Sequence, residues 1–308
     1  MVDTLDLGSS VERRESSSLS FRTKKNDYQM YQLIFHSNNS DIANQIEKDF
    51  EIKSIKHDRH FRFNLTSENK VNLQSLREKY QEDFNLVDQS FCFEGIGLMV
   101  SDMDSTMISI ECIDEIADFA NLKNEVSEIT EQAMQGILDF NSSLEKRVAL
   151  LKGLDLSVLN EVYIDRLKTN PGAELLINFL KDRNIKTALV SGGFTYFTDR
   201  LAKDIGIDFS RANVLEVENG HLSGKTSGSV INSLEKANFV KELCQDLNLN
   251  LNQTLTIGDG ANDLDMMNLS GFSVAYHAKP VVIESANACI CYGGLDKIID
   301  FFRNKPSS

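Results

Sequence analysis

Cysteine is sparse in this sequence and its spacing carries no pattern. Cys92, Cys112, Cys244, Cys289 and Cys291 are the five present, with no CxxC pair and no zinc-ligand spacing. An odd, scattered set fits a reducing cytoplasm. Cys289 and Cys291 fall in an apolar run and read as core residues rather than a redox pair. Long apolar runs are missing too. None reaches the length of a membrane span, and no apolar segment follows a basic start, so the chain reads as soluble, not secreted, with no membrane partner. Positive charge is in short supply: 32 Lys and Arg stand against 46 Asp and Glu, a net charge of −14. Such a surface repels polyanions at long range, which argues against nucleic acid or an anionic membrane as the main partner. A small phosphorylated substrate is not excluded, because a metal ion and a few local cations can reverse the field inside one pocket. Internal repeats are absent as well.

What is present is a chain of 308 residues, 41% of them hydrophobic, long enough for about two domains. Residues 1–27 are rich in Ser, Arg, Glu and Lys, too poor in apolar side chains to repay ordering, and read as a flexible tail. Residues 28–92 then read as strand (Met30 to Phe35), helix (Ser40 to Phe50), strand (Glu51 to Ile55), strand (Phe61 to Leu65), helix (Leu73 to Asp83) and strand (Phe84 to Val87). This is the β-α-β-β-α-β order of a small ferredoxin-like α+β domain.

From residue 95 to 308 the pattern is α/β, with short apolar strands feeding polar or glycine-rich turns and then helices, as in a Rossmann-like parallel sheet. The expected strands are Gly97 to Val100, Thr187 to Val190, Thr254 to Ile257, Phe272 to Ala275 and Ala288 to Cys291. One stretch, about 110–168, has helical spacing throughout, with Ile113, Ile116, Ala117 and Ala120 on one stripe and Leu144, Val148 and Leu151 on another. It reads as a helical cap inserted after the first strand and ended by Asn170-Pro171-Gly172. Asn219-Gly220, between Val214-Leu215-Glu216-Val217 and His221-Leu222-Ser223, marks a further hairpin.

Three polar motifs follow three of these strands. Asp102-Met103-Asp104-Ser105-Thr106 comes directly after Gly97 to Val100. One of its carboxylates can attack phosphorus while the other, two residues on, handles a proton. Ser191-Gly192-Gly193 lets backbone N–H groups and a hydroxyl approach a phosphate closely. Gly258-Asp259-Gly260-Ala261-Asn262-Asp263 sets carboxylates among glycines, as a hard cation such as Mg²⁺ requires. Ligands of an open parallel sheet bind beyond the carboxyl ends of its strands, so the three motifs would converge there. Acidic groups facing a phosphate also need a cation, and Lys236, in the helical stretch Asn232 to Leu247, is the candidate.

Taken together, Asp102-Met103-Asp104-Ser105-Thr106, Ser191-Gly192-Gly193, Lys236 and Gly258-Asp259-Gly260-Ala261-Asn262-Asp263 resemble the four motifs of the haloacid dehalogenase superfamily of phosphohydrolases. Glu111-Cys112-Ile113-Asp114-Glu115-Ile116-Ala117, Met134-Gln135-Gly136 with Phe140, Ser143-Leu144-Glu145-Lys146-Arg147-Val148 and Ala275-Tyr276-His277-Ala278-Lys279-Pro280 extend the resemblance to its phosphoserine phosphatase family. The N-terminal order of elements resembles the ACT-like modules that accompany some of those enzymes.

The resemblance implies a Mg²⁺-dependent phosphomonoester hydrolase that releases L-serine from O-phospho-L-serine in the last step of serine biosynthesis. It makes Asp102 the nucleophile that becomes an aspartyl phosphate, and Asp104 the acid and then the base. Asp102, the Asp104 backbone carbonyl and Asp259 would hold Mg²⁺, with Asp263 in support. Ser191, Gly192 and Lys236 would bind phosphoryl oxygens, and Asn262 would help place the substrate. Glu111 would accept the substrate ammonium and Arg147 its carboxylate, while Met134 and Phe140 close the pocket. Phosphoryl transfer to an alcohol such as homoserine stays open as an alternative, because it shares the first half-reaction. So do an amino-acid-sensing role, an amino-acid ligand on the small domain, and a homodimer.

Overall fold

The structure, a computed structural model, describes residues 31–66, 69–134 and 137–302, with only the backbone described at 131, 133 and 134. The expected flexible tail, 1–27, lies outside the described residues.

Residues 31–88 form a four-stranded antiparallel sheet in the order β2-β3-β1-β4: β1 (Tyr31–Phe35), β2 (Ser54–Lys56), β3 (Phe61–Leu65) and β4 (Phe84–Asp88). Helices α1 (Ser40–Phe50) and α2 (Leu73–Tyr80) connect them in β-α-β-β-α-β sequence. Leu33, Phe35, Phe63 and Phe84 are completely buried between sheet and helices. Burying each such side chain is worth ~1.5–3 kcal/mol. Two boundaries differ from the expected ones for the same reason. Glu51 and Gln81 take the left-handed conformation at φ 54° and 53° and close α1 and α2. The second strand therefore starts at Ser54 instead of Glu51, and the second helix stops at Tyr80, short of Asp83.

The main sheet has seven strands in the order β11-β10-β9-β5-β6-β7-β8. They are β5 (Leu98–Ser101), β6 (Lys186–Phe194), β7 (Phe209–Glu218), β8 (His221–Ser227), β9 (Thr254–Gly258), β10 (Phe272–Tyr276) and β11 (Ala288–Ile290). All neighbouring pairs are parallel except β7 and β8. The hairpin at Asn219-Gly220 is present, but β7 starts earlier than expected and its first half pairs in parallel with β6. Connecting helices are α7 (Ala173–Asp182), α8 (Thr195–Ile205), α9 (Ser233–Asp246), α10 (Leu264–Leu269) and α11 (Pro280–Ser285).

The cap leaves the sheet just after β5. It consists of α3 (Cys112–Phe119), α4 (Lys123–Met134), α5 (Phe140–Leu150), α6 (Ser157–Glu161) and a π turn, Val162–Arg166. With α7 the chain returns to the core. Ile113, Ile116, Ala117, Leu144, Val148 and Leu151 are buried as their spacing implies, whereas Ala120 ends α3. The two linkers of the cap are tied together by Asn170, whose side-chain N–H groups donate to the carbonyls of Thr106 (2.8 Å) and Ile108 (3.0 Å). Among the described residues no helix is long and apolar enough to cross a membrane.

The small sheet docks on the edge of the large one through polar groups. The Asn85 amide pairs with both backbone groups of Cys289, donating to its oxygen at 2.9 Å and accepting from its N–H at 2.9 Å. Asp83 accepts from the N–H groups of Cys291 (2.6 Å) and Gly293 (2.7 Å). Asp300, fully buried, lies between His36 (3.1 Å) and His60 (3.3 Å). Edge-strand groups that would otherwise be left unpaired are thus satisfied by side chains of the other sheet.

Candidate active site

β5 is buried along its whole length between β6 and β9, so its backbone is saturated and its end is rigid. The next residue, Asp102, still donates its N–H to Ile257 O at 3.0 Å. Its Oδ1 accepts from Met103 N–H (2.7 Å) and from Lys236 Nζ (2.9 Å). Lys236 is completely buried on the first turn of α9, which Asn232 caps by accepting from Glu235 N–H. Its Nζ also donates to Asp263 Oδ1 at 2.7 Å. Burial works to discharge this lysine, but the Asp102 and Asp263 carboxylates prevail and hold its pKa above the ordinary value. Asp102 is pushed well up, by burial first and by repulsion from Asp263 second.

Asp259 stands at the end of β9, where Thr106 Oγ1 donates to its Oδ1 at 3.0 Å. Burial and the Asp263 charge raise its pKa to about 6. Asp263 is fixed on all sides, its Oδ2 accepting from the N–H groups of Asp259 (3.2 Å) and Gly260 (3.1 Å). A Cβ on Gly258 would lie 2.5 Å from that of Asp263, so glycine is required for this approach. Carboxylate oxygens of Asp102, Asp259 and Asp263 gather within 4.8 Å of one another. Three carboxylates against the one ammonium of Lys236 leave two negative charges unbalanced. A donor set made wholly of hard oxygens with that charge fits a divalent cation of the Mg²⁺ class.

The Asp104 side chain stands outside this trio. Its Oδ1 accepts from Cys112 N–H (2.9 Å) and its Oδ2 from Ser191 Oγ (3.0 Å), so the start of α3 and the end of β6 both orient it. Ser191 Oγ in turn accepts from Gly193 N–H at 2.8 Å. Gly192 lies against the cap: a Cβ there would come 2.8 Å from the Phe140 ring. Cap and core therefore touch where the end of β6 passes under Phe140, the first residue of α5.

Glu111 and Arg147 belong to the cap. Ser105, in a left-handed turn at φ 56°, donates its hydroxyl to Glu111 Oε1 at 2.7 Å. Glu111 is exposed at its surface, yet desolvation and the Asp104 charge push its carboxyl up to about 8. Arg147, on α5, makes a 3.4 Å contact to Ser143 O in its own helix. Burial lowers its pKa against the opposing pull of Asp114, Glu111 and Asp104. Asn262 is half-exposed in the turn between Asp259 and Asp263. Met134 ends α4, and its side chain lies outside the described residues.

Two contributors went unread in the sequence. Asn213, buried in β7, donates to the carbonyls of Gly192 (2.8 Å) and Gly193 (3.2 Å) and accepts from Ile231 N–H (2.9 Å). One amide thus joins the end of β6 to the segment that leads into Lys236. Asp114 is the second. It lies three residues beyond Glu111, a spacing that puts both near one helix face, and its charge acts on Arg147.

Comparison with known proteins gives consistent results. Residues 96–271 match the model of the haloacid dehalogenase-like hydrolases. A phosphoserine phosphatase of Polaromonas sp. (strain JS666) is 49% identical over 211 residues, covering 67% of this chain and 89% of its own. The crystal structure of a hydrolase of the same superfamily from Salmonella enterica serovar Typhi superposes with a TM-score of 0.81 at 30% identity, covering 88% of this chain and 97% of that one. A substrate-bound phosphoserine phosphatase complex superposes with a TM-score of 0.64 at 37% identity, covering 68% of this chain and 99% of that one.

Proposed function

The chain belongs to the haloacid dehalogenase-like hydrolases, and from that membership we propose that it hydrolyses O-phospho-L-serine to L-serine and phosphate, the closing step of serine biosynthesis. The observation that carries the reading is the buried Lys236, bridging Asp102 and Asp263 where the β5 and β9 motifs meet. It fixes the attacking carboxylate and supplies a positive charge beside it.

In this reading Asp102 attacks phosphorus and the serine oxygen leaves with a proton from Asp104, giving an aspartyl phosphate. Asp104 then takes a proton from water as the water attacks that phosphorus, and Asp102 is restored. Asp104 suits both steps, since its hydrogen bonds to Ser191 and to Cys112 N–H hold it between core and cap. Lys236, the Ser191 hydroxyl and the Gly192 N–H hold phosphoryl oxygens, donors placed where negative charge develops. Mg²⁺, held by the Asp102 carboxylate, the Asp104 backbone carbonyl and Asp259, would neutralise phosphoryl charge. Asp263 acts in support, because its oxygens are already engaged by Lys236 and two backbone N–H groups.

Selection of an amino-acid phosphate falls to the cap. Glu111 takes the substrate ammonium, Arg147 its carboxylate, Asn262 helps place it, and Phe140 with Met134 keeps water out. The test is phosphate release from a panel of phosphorylated amino acids and sugars, with and without Mg²⁺ and with homoserine as an added acceptor. Selective, Mg²⁺-dependent release from phosphoserine is expected. Preference for a sugar phosphate would refute the substrate, and a loss of free phosphate on adding homoserine would redirect the reading to phosphoryl transfer.

For residues 28–92 the β-α-β-β-α-β order supports an ACT-like amino-acid-binding role. Calorimetric titration of the full chain with a set of amino acids tests it.

A further inference from the structure

Cys289 and Cys291 are two residues apart at the end of β11, and side chains at that spacing on a strand share a face. Cys289 lies in the apolar core and Cys291 packs against it, as their apolar setting implies. The chain bends directly after Ile290, and the two sulfurs lie 3.4 Å apart, within hydrogen-bond distance. Cys289 is buried, whereas Cys291 is partly open to solvent. Cys289 is anchored by its ladder position opposite Ala275 and by the paired hydrogen bonds of Asn85. Cys291 begins a turn held by Asp83.

We infer that Cys289 and Cys291 are a dithiol modification site, which hydrogen peroxide closes reversibly into an intrachain disulfide at the junction of the two sheets. The solvent-facing Cys291 reacts first. Its thiolate forms an S–O bond as the O–O bond of the peroxide breaks, giving a sulfenic acid, and the departing hydroxide takes up the proton that the thiol released and leaves as water. The Cys289 sulfur then forms the S–S bond as the S–O bond breaks, and the departing hydroxide takes the Cys289 proton as a second water. Two thiols have lost two electrons and two protons, and one peroxide has been reduced to two waters.

A disulfide requires the sulfurs to close to about 2.0 Å. Cys289 is the anchored partner, so most of the movement falls on Cys291 and the turn behind it. That turn presents three consecutive N–H groups, of Cys291, Tyr292 and Gly293, to Asp83. Oxidation therefore weakens the clamp between the small sheet and the edge of the large one.

The experiment treats the full protein with hydrogen peroxide, alkylates free thiols under denaturing conditions and maps the peptides by mass spectrometry. The expected product is a 289–291 peptide lighter by two hydrogens and unalkylated, which regains two alkylation sites after dithiothreitol. Hydrogen exchange at Cys291 to Gly293 should rise several-fold in the oxidised protein. In Cys289→Ser the same treatment should carry Cys291 on to sulfinic acid, since no second thiol intercepts it. Full alkylation of both cysteines after peroxide, or sulfinic acid at Cys291 in the unmutated protein without a bridge, overturns the inference. A bridge with unchanged exchange in the turn overturns the link to the junction.

Discussion

Replacing Arg147 by Ala separates recognition of the amino acid from the chemistry at phosphorus. The guanidinium lies in the cap, facing Glu111 and Asp114, and its one hydrogen bond within α5 is a long 3.4 Å contact to Ser143 O. A substrate carboxylate would give it the short bidentate partner that this geometry lacks. Truncating one member of a desolvated charge pair costs ~2–5 kcal/mol. Arg147 is only partly buried, so the lower end applies. At 1.4 kcal/mol per decade, that is a loss of roughly 30- to 100-fold in kcat/KM for phosphoserine. p-Nitrophenyl phosphate has no carboxylate and uses only the metal and phosphate contacts, so its hydrolysis should change by less than about 3-fold. Glu111→Ala should show the same selectivity through the ammonium. The assay is the ratio of the two kcat/KM values in each variant against the unmutated enzyme. An equal fall for both substrates would mean that the cap residues support the fold or the phosphate site, and the reasoning would fail.

Three further outcomes follow from the same geometry. Asp104→Asn should lower turnover by ~10²–10⁴-fold while leaving Mg²⁺ affinity unchanged by calorimetry, because its carboxylate stands apart from the Asp102, Asp259 and Asp263 group; a parallel loss of metal binding would contradict this division. Asn213→Ala leaves Ile231 N–H and two glycine carbonyls at the end of β6 without their partner, and should cost ~1–3 kcal/mol in urea unfolding together with a reduced kcat, where a merely structural role would lower stability alone. Burial holds His57 and His60 below the ordinary histidine pKa, so below about pH 6.5 these two side chains bind more protons in the unfolded chain and their own contribution to stability falls with pH, while the raised Glu111 and Asp259 carboxyls act in the opposite sense; an unchanged pH dependence of the urea midpoint between about pH 7 and 5 in His57→Gln with His60→Gln would refute this.

The catalytic motifs were legible because each is local. A short apolar strand followed at once by Asp102 to Thr106, Ser191 to Gly193 or Gly258 to Asp263 states both its secondary structure and its chemistry. Their convergence followed from the rule that parallel strands present their carboxyl ends together. Lys236 was harder, since an isolated lysine on a helix resembles any solvated one; the need for a cation beside the carboxylates made it the candidate before the structure showed it buried against two of them.

What stayed hidden depends on contacts across the fold. Asn213 looks like an ordinary polar residue in a strand; its value lies in bonds to Gly192, some 21 residues away. The start of β2 and the end of α2 were misjudged because Glu51 and Gln81 occupy a left-handed conformation with no glycine to announce it. β7 was expected only as half of a hairpin, since the hairpin turn is a stronger local signal than a parallel pairing with β6. The nearness of the Cys289 and Cys291 sulfurs was overlooked although residues two apart on a strand share a face, because the apolar run around them reads first as core.

The most direct test of the central claim is acid quenching during turnover of phosphoserine with Mg²⁺, followed by peptide mapping. The account predicts one acid-stable, base-labile phosphoryl group on Asp102, absent in Asp102→Asn, which should also have lost turnover. Phosphate found on another residue, or normal turnover by Asp102→Asn, would contradict it.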